Sequence, residues 1–144
     1  METAVNSDST MFLIICSALV LFMTPGLAFF YGGLVRASSV VSMMMMSFGS
    51  LGLIGVMWVI FGYAMSFGNA GTGDFIGWDG VFGIDLNKMF LGDVTKLALT
   101  GDGSAMAFAG FQGTFAIITV ALISGAIADR AKFGSWMIYA AIWA

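Results

Sequence analysis

No charged residue stands between Asp8 and Arg36, none between Arg36 and Asp74, and none between Asp102 and Asp129. A helix of about 20 mostly apolar residues crosses a bilayer while satisfying its own backbone hydrogen bonds, so runs of this length read as membrane spans. The sequence places spans at residues 11–35, 40–67 and 104–128, and a fourth apolar segment at residues 134–144. Composition agrees: 60% of residues are hydrophobic, 9% are charged and the mean hydropathy is +1.00. Soluble domains carry about 25% charged residues. The expected class is an all-α integral membrane protein. The fourth segment is too short to cross, so the chain is expected to end inside a span as a fragment of a longer protein.

The N-terminal tail has no lysine or arginine, and a secretory signal needs a basic leader. The first span is therefore expected to be retained. Arg36 follows the first span, and Arg130 with Lys132 follows the third. Short basic loops stay in the cytoplasm, which puts the N-terminus outside and residues 68–103 on the outer face. That loop carries Lys88 and Lys96 among Asp74, Asp79, Asp85, Asp93 and Asp102. The aspartates are too far apart for a calcium loop. Its aromatics, Phe75, Trp78, Phe82 and Phe90, are expected to pack it over the outer face.

Within the first span, Pro25 interrupts an otherwise helical run, and a kink near Met23 and Thr24 is expected. In water such a proline costs about 3 kcal/mol, whereas inside a bundle neighbouring groups satisfy the freed carbonyl. Phe29, Phe30 and Tyr31 lie between Gly26 and the pair Gly32 and Gly33. By residue type alone they serve either as an interfacial aromatic belt or as part of a site. In the second span Gly49, Gly52 and Gly55 recur every third residue, drifting about 60° per step around the helix, which marks a broad, curved contact. Ala121 and Gly125 form a small pair of the kind that lets helices approach closely. The run Met43 to Met46 points all round its helix and reads as apolar filler.

Chemistry is sparse. The chain has no histidine, which excludes histidine metal sites, proton relays and serine–histidine triads within it. Its one cysteine, Cys16, has no intrachain disulfide partner. Charged groups are absent from the spans, so an enzymatic reading is weak, and neither a cofactor nor a nucleic-acid partner is expected. In the third span Phe111 and Phe115 are four apart, about 40° from each other around the helix. Paired rings of this kind face lipid, pack in a core or constrict a pore. Gln112 beside them is an amide that wants a partner when buried. A cation against such rings gains about 0.5–2 kcal/mol.

Two long blocks decide among these. Thr24-Pro25-Gly26-Leu27-Ala28-Phe29-Phe30-Tyr31-Gly32-Gly33-Leu34-Val35-Arg36 resembles the first-helix signature of the ammonium transporter/Rh family. The run from Phe111-Gln112-Gly113-Thr114-Phe115 through Gly125-Ala126-Ile127-Ala128-Asp129-Arg130 is similar to that family's third helix and following turn. Val56-Met57-Trp58-Val59-Ile60-Phe61-Gly62-Tyr63, with Ser66-Phe67-Gly68, matches between them, so the resemblance covers nearly the whole chain. It implies a homotrimer of eleven-helix subunits with inverted repeats and a narrow pore in each, carrying ammonium, ammonia or methylammonium across the cell membrane. By position it makes Phe115 an outer pore gate, Phe111 a wall of the ammonium recruitment site with Gln112 in support, and Phe30 and Tyr31 part of the inner pore lining. Ile118 and Leu122 are expected to extend the stripe of Phe111 and Phe115 inward. The family's paired pore histidines would lie beyond Ala144, so these residues alone are expected not to transport. The family usually has glutamate where Asp129 stands, and the carboxylate is kept. A PII-type regulatory protein on the cytoplasmic side is a further implied partner. The alternative is an ammonium sensor on the same scaffold.

Overall fold

The computed structural model describes residues 6–67, 86–92, 99–100 and 103–144. Helix α1 runs over Ser7–Leu34 and passes through Pro25 without a break. The Asn6 side chain starts it, accepting from the backbone N–H groups of Asp8 at 3.0 Å and Ser9 at 3.4 Å. Asp8 in the first turn complements the positive end of the helix dipole. The chain becomes extended at Val35, makes one 3₁₀ turn at Ala37–Ser39, and re-enters helix as α2 over Val40–Met57. A π-helical turn at Trp58–Gly62 joins α2 to α3 at Tyr63–Phe67, so the three form one continuous rod. A two-residue ladder pairs Leu99–Thr100 with Gly103–Ser104 and leads into α4 at Ala105–Ile123, which tightens to 3₁₀ over Ser124–Ile127. A short turn then feeds α5 at Phe133–Trp143.

Three of these rods, Ser7–Leu34, Ala37–Phe67 and Ala105–Ile127, are long and apolar enough to cross a membrane. Helix α4 is the hub of the bundle, packed against both α1 and α2, while α5 packs on α2. Met43, Met46, Ile54, Ile117, Val120, Trp136 and Ala140 form the main core. The methionine run divides as its helical spacing demands, with Met43 and Met46 buried and Met45 half exposed. Trp136 is 1% exposed. Its indole N–H donates to the Met46 carbonyl at 3.1 Å and lies 3.3 Å from the Ser50 hydroxyl. That contact fixes α5 on α2 and satisfies a donor that hydrocarbon would leave costly.

At the opposite end of the bundle, the Ser104 N–H donates to Thr10 Oγ1 at 3.1 Å, tying the start of α4 to the start of α1. The basic residues cluster by topology. Arg36 lies in the α1–α2 turn and Arg130 and Lys132 in the α4–α5 turn, both at the end of the bundle away from that tie. The two turns border one cleft, lined from the α2 side by Ser39 and Ser42 and from the other by Asp129 and Ala131. Asp129 itself takes a left-handed conformation, φ 60°, one that aspartate tolerates better than most residues.

The glycines at 49, 52 and 55 turn to different neighbours, as a drift of about 60° per step around the helix requires. Gly49 faces Phe133 and Met137 of α5, Gly55 faces Ile117 of α4, and Gly52 faces nothing within 4 Å. One expectation needs correction: in the segment 86–92, Phe90 is 66% exposed, and it is Leu91 that packs, against the cluster of Tyr63, Ala105 and Ala109. Phe90 and Leu91 both have positive φ, 53° and 56°, so the chain turns sharply there and the phenyl ring points away. Phe75, Trp78, Phe82 and the loop aspartates lie outside the described residues.

Among the described glycines in the half of the bundle that holds the Thr10–Ser104 tie, Gly113 on α4 makes the tightest helix crossing. A Cβ there would sit 2.8 Å from Trp58 Cδ1 and 2.9 Å from its Nε1. The indole cannot swing aside without losing its hydrogen bond to the Ala109 carbonyl at 3.1 Å. Gly113→Ala is therefore expected to destabilise the protein by about 1–3 kcal/mol. Gly110→Ala, whose Cβ would meet nothing within 4 Å, gains about 0.5–1 kcal/mol of helix propensity. Thermal unfolding of the detergent-solubilised variants checks this, and equal melting shifts for the two would show the crossing to be slack.

Candidate functional site

Phe111 and Phe115 project from successive turns of α4 and meet edge to face, ring centroids 5.0 Å apart at 85°. This geometry lets the positive edge of one ring approach the negative face of the other. Phe111 is half-buried, and Phe115 is 42% exposed. Below them Thr119, Leu122 and Ala126 are also exposed, so α4 carries an open face that begins at the two rings and runs toward the basic end. Ile118 departs from expectation. It is buried, 6% exposed, in the helix interface, because its position around the helix falls on the packed edge of that face. Leu122 stays open. Gln112 is half-buried beside the rings.

Phe30 and Tyr31 occupy the other end. Their ring centroids are 5.7 Å apart at 44°. Phe30 is 60% exposed, while Tyr31 is half-buried and reaches α4, donating its hydroxyl to the Leu122 carbonyl at 3.0 Å. Its ring lies against Gly125, where a Cβ would come within 2.6 Å of Tyr31 Cζ. The small pair Ala121 and Gly125 thus admits a tyrosine from α1. Tyr31, Leu34 and Val35 with Gly125, Ala126 and Asp129 line an open groove of about 400 Å3 at the basic end. The five residues singled out from the sequence therefore form two separate groups, one toward each end of the open face of α4.

A second aromatic cluster includes Phe108, three residues before Phe111 on α4. The Trp58 ring lies 6.1 Å from Tyr63 and 6.4 Å from Phe67, Tyr63 lies 5.1 Å from Phe67, and Phe67 meets Phe108 edge-on at 5.5 Å. Residue spacing conceals it. Trp58 and Tyr63, five apart, would diverge by about 140° on a regular α-helix. The π-helical turn between them widens the spiral and brings the rings together, as such insertions do where aromatic side chains must be re-aimed. Phe108 of this nest and Phe111 of the phenyl pair stand three apart on α4. Among the described residues no group of three histidine, cysteine, aspartate or glutamate side chains could hold a metal ion. What the arrangement offers is aromatic surface at one end, an open and mostly apolar face along α4, and a polar groove at the other end.

Known proteins are similar to this sequence along almost the full chain. The Ammonium Transporter Family profile matches residues 11–144. An ammonium transporter of Mycobacterium bovis is 47% identical over 96% of this chain and 31% of its own length. One of Bacillus subtilis is 39% identical over 94% of this chain and 32% of its own. The ammonium transporter Amt1 of Archaeoglobus fulgidus is 37% identical over 95% and 32%. The chain spans about a third of the length of the curated relatives it matches. With its family profile covering all but the first ten residues, this membrane-spanning chain belongs to the ammonium transporter family.

Proposed function

We propose that this chain supplies the first helices of a pathway carrying ammonium or ammonia, and methylammonium as a close analogue, across the cell membrane. The observation that carries the reading is the edge-to-face pair of Phe111 and Phe115 at the head of the open α4 face. An ammonium ion is costly to strip of water in an apolar setting. An aromatic surface offsets part of that cost through attraction to the ring faces, about 0.5–2 kcal/mol per cation. Phe111, with Gln112 beside it, recruits the cation. Phe115 then constricts the passage and bars hydrated ions. Phe30 and Tyr31 line the inner portion.

The whole protein is on this reading a homotrimer of eleven-helix subunits built from inverted repeats, and its remaining helices cover the open face of α4. Transport is the property of that assembly rather than of these helices alone. The turns bearing Arg36, Arg130 and Lys132 face the cytoplasm, where a PII-type protein regulates the transporter, and the N-terminus faces outward. Retention of basic turns on the cytoplasmic side supports this orientation, as does the placement of all three at one end of the bundle.

Two measurements test the reading. In the full-length protein, Phe111→Ala is expected to raise the half-saturating ammonium concentration by roughly twofold to thirtyfold, the span of about 0.5–2 kcal/mol. Phe115→Ala is expected to change the maximal rate or the ammonium-to-methylammonium ratio instead. Unchanged uptake per folded assembly in both variants would reduce the rings to packing.

For orientation, single cysteines are placed by Ser9→Cys or Lys132→Cys in a Cys16→Ser background. An impermeant maleimide on intact cells is expected to label position 9 and leave position 132 unlabelled. The reverse pattern would invert the topology.

A further inference from the structure

Of the two threonines in α4, Thr114 is buried and Thr119 is exposed on the open face, one turn inward from Phe115. The Thr119 hydroxyl donates to the Phe115 carbonyl at 2.7 Å. A hydroxyl has one hydrogen to give and two lone pairs with which to accept. With the hydrogen committed to the helix backbone, what Thr119 offers outward is acceptor capacity. Its neighbours on that face, Phe115, Leu122 and Ala126, have no polar side-chain atom at all. Helix carbonyls along α4 are engaged in the backbone ladder, so among the described residues of this face Thr119 Oγ1 is the first side-chain acceptor beyond the phenyl pair.

We propose that Thr119 is a specificity-determining residue that accepts a hydrogen bond from the N–H of a small nitrogen permeant just after it clears Phe115. The proposal rests on the transport reading above and deepens it. Ammonium, ammonia and small primary amines all arrive with N–H donors stripped of water, and a dry apolar wall would leave those donors unpaired. An oxygen that can only accept is matched to them. Its hydrogen bond to the carbonyl one turn above also holds the oxygen in place, so no reorientation is needed as the permeant passes. Thr119 departs from Ser17, Ser50, Thr114 and Ser124, which make the same backbone bond at 2.6–2.9 Å but lie half-buried or buried in helix packing.

The test uses the full-length transporter and uptake per assembled trimer, with ammonium and methylammonium as probes. Thr119→Val keeps the shape and removes the oxygen. It is expected to lower the maximal rate about fivefold, the factor that one net hydrogen bond represents, while the half-saturating concentration set at Phe111 stays unchanged. Thr119→Ser restores the oxygen and is expected to restore the rate. Should Thr119→Val fail to assemble, Thr119→Ala removes the same oxygen without adding bulk and is read in its place. A wild-type rate without the hydroxyl overturns the assignment, and so does an equal loss in the serine variant, which would assign the effect to methyl packing. If Phe115→Ala alters passage while Thr119→Val does not, the transport reading stands and the Thr119 role alone fails. If Phe111→Ala and Phe115→Ala are silent as well, the transport reading itself fails.

Discussion

The indole of Trp58 lying on Gly113 is the contact on which the half of the bundle that holds Thr10 and Ser104 depends. Its N–H is held by the Ala109 carbonyl, so the ring bridges one turn of α4 and requires a residue without a side chain at the next. In a bilayer this economy matters, because helices gain little by hiding apolar surface from lipid and must associate through close packing and satisfied polar groups. Trp136 performs the corresponding task at the other end, donating to Met46 and resting on α2. Two tryptophans at opposite ends thus hold the second rod in register, one with α4 and the other with α5. The phenyl pair on α4 is positioned by that register.

Much of this was legible in the sequence because hydrocarbon is an unforgiving solvent. The charge-free runs from Asp8 to Arg36, from Arg36 to Asp74 and from Asp102 to Asp129 left few places for span boundaries, and the bilayer allows few structures besides helices. The four-residue spacing of Phe111 and Phe115 placed them on one stripe, since regular helices obey a fixed angle per residue. The same arithmetic pointed the run Met43 to Met46 all round its helix, and the structure accordingly buries Met43 and Met46 and exposes Met45.

What escaped was whatever breaks that arithmetic or depends on neighbours. The nest of Trp58, Tyr63, Phe67 and Phe108 uses a π-helical turn, and nothing in Trp58-Val59-Ile60-Phe61-Gly62 announces the change of period. Ile118 lies a small angle from Leu122 around α4, yet one is buried and the other open, because the edge of the interface falls between them. Tyr31 read as a candidate wall of a passage, and its hydroxyl is in addition a fastening between α1 and α4, visible only once Leu122 and Gly125 are known to lie opposite. Among the described residues two buried hydroxyls, Thr24 Oγ1 and Ser47 Oγ, have no hydrogen-bond partner, and the sequence does not distinguish them from the serines and threonines that bond back to their own helix.

The π-helical turn at Trp58–Gly62 also bears on how this rod changes over evolutionary time. Such a turn holds one residue more than a regular helical turn. Loss of that residue would restore the ordinary spiral with Trp58 and Tyr63 four apart, about 40° from each other. Tyr63 and Phe67 would keep their places beside Trp58 and Phe108. Straightening of the turn at its present length would instead carry Tyr63 and Phe67 about 100° away from them, although none of those four residues had itself been altered. Single-residue gaps between residues 58 and 62 are therefore expected to be tolerated among functional descendants, whereas a change that restores the regular period without shortening the chain is not. Residue identity at the aromatic positions is the visible part of what selection must preserve here, and the helical period between them is the other.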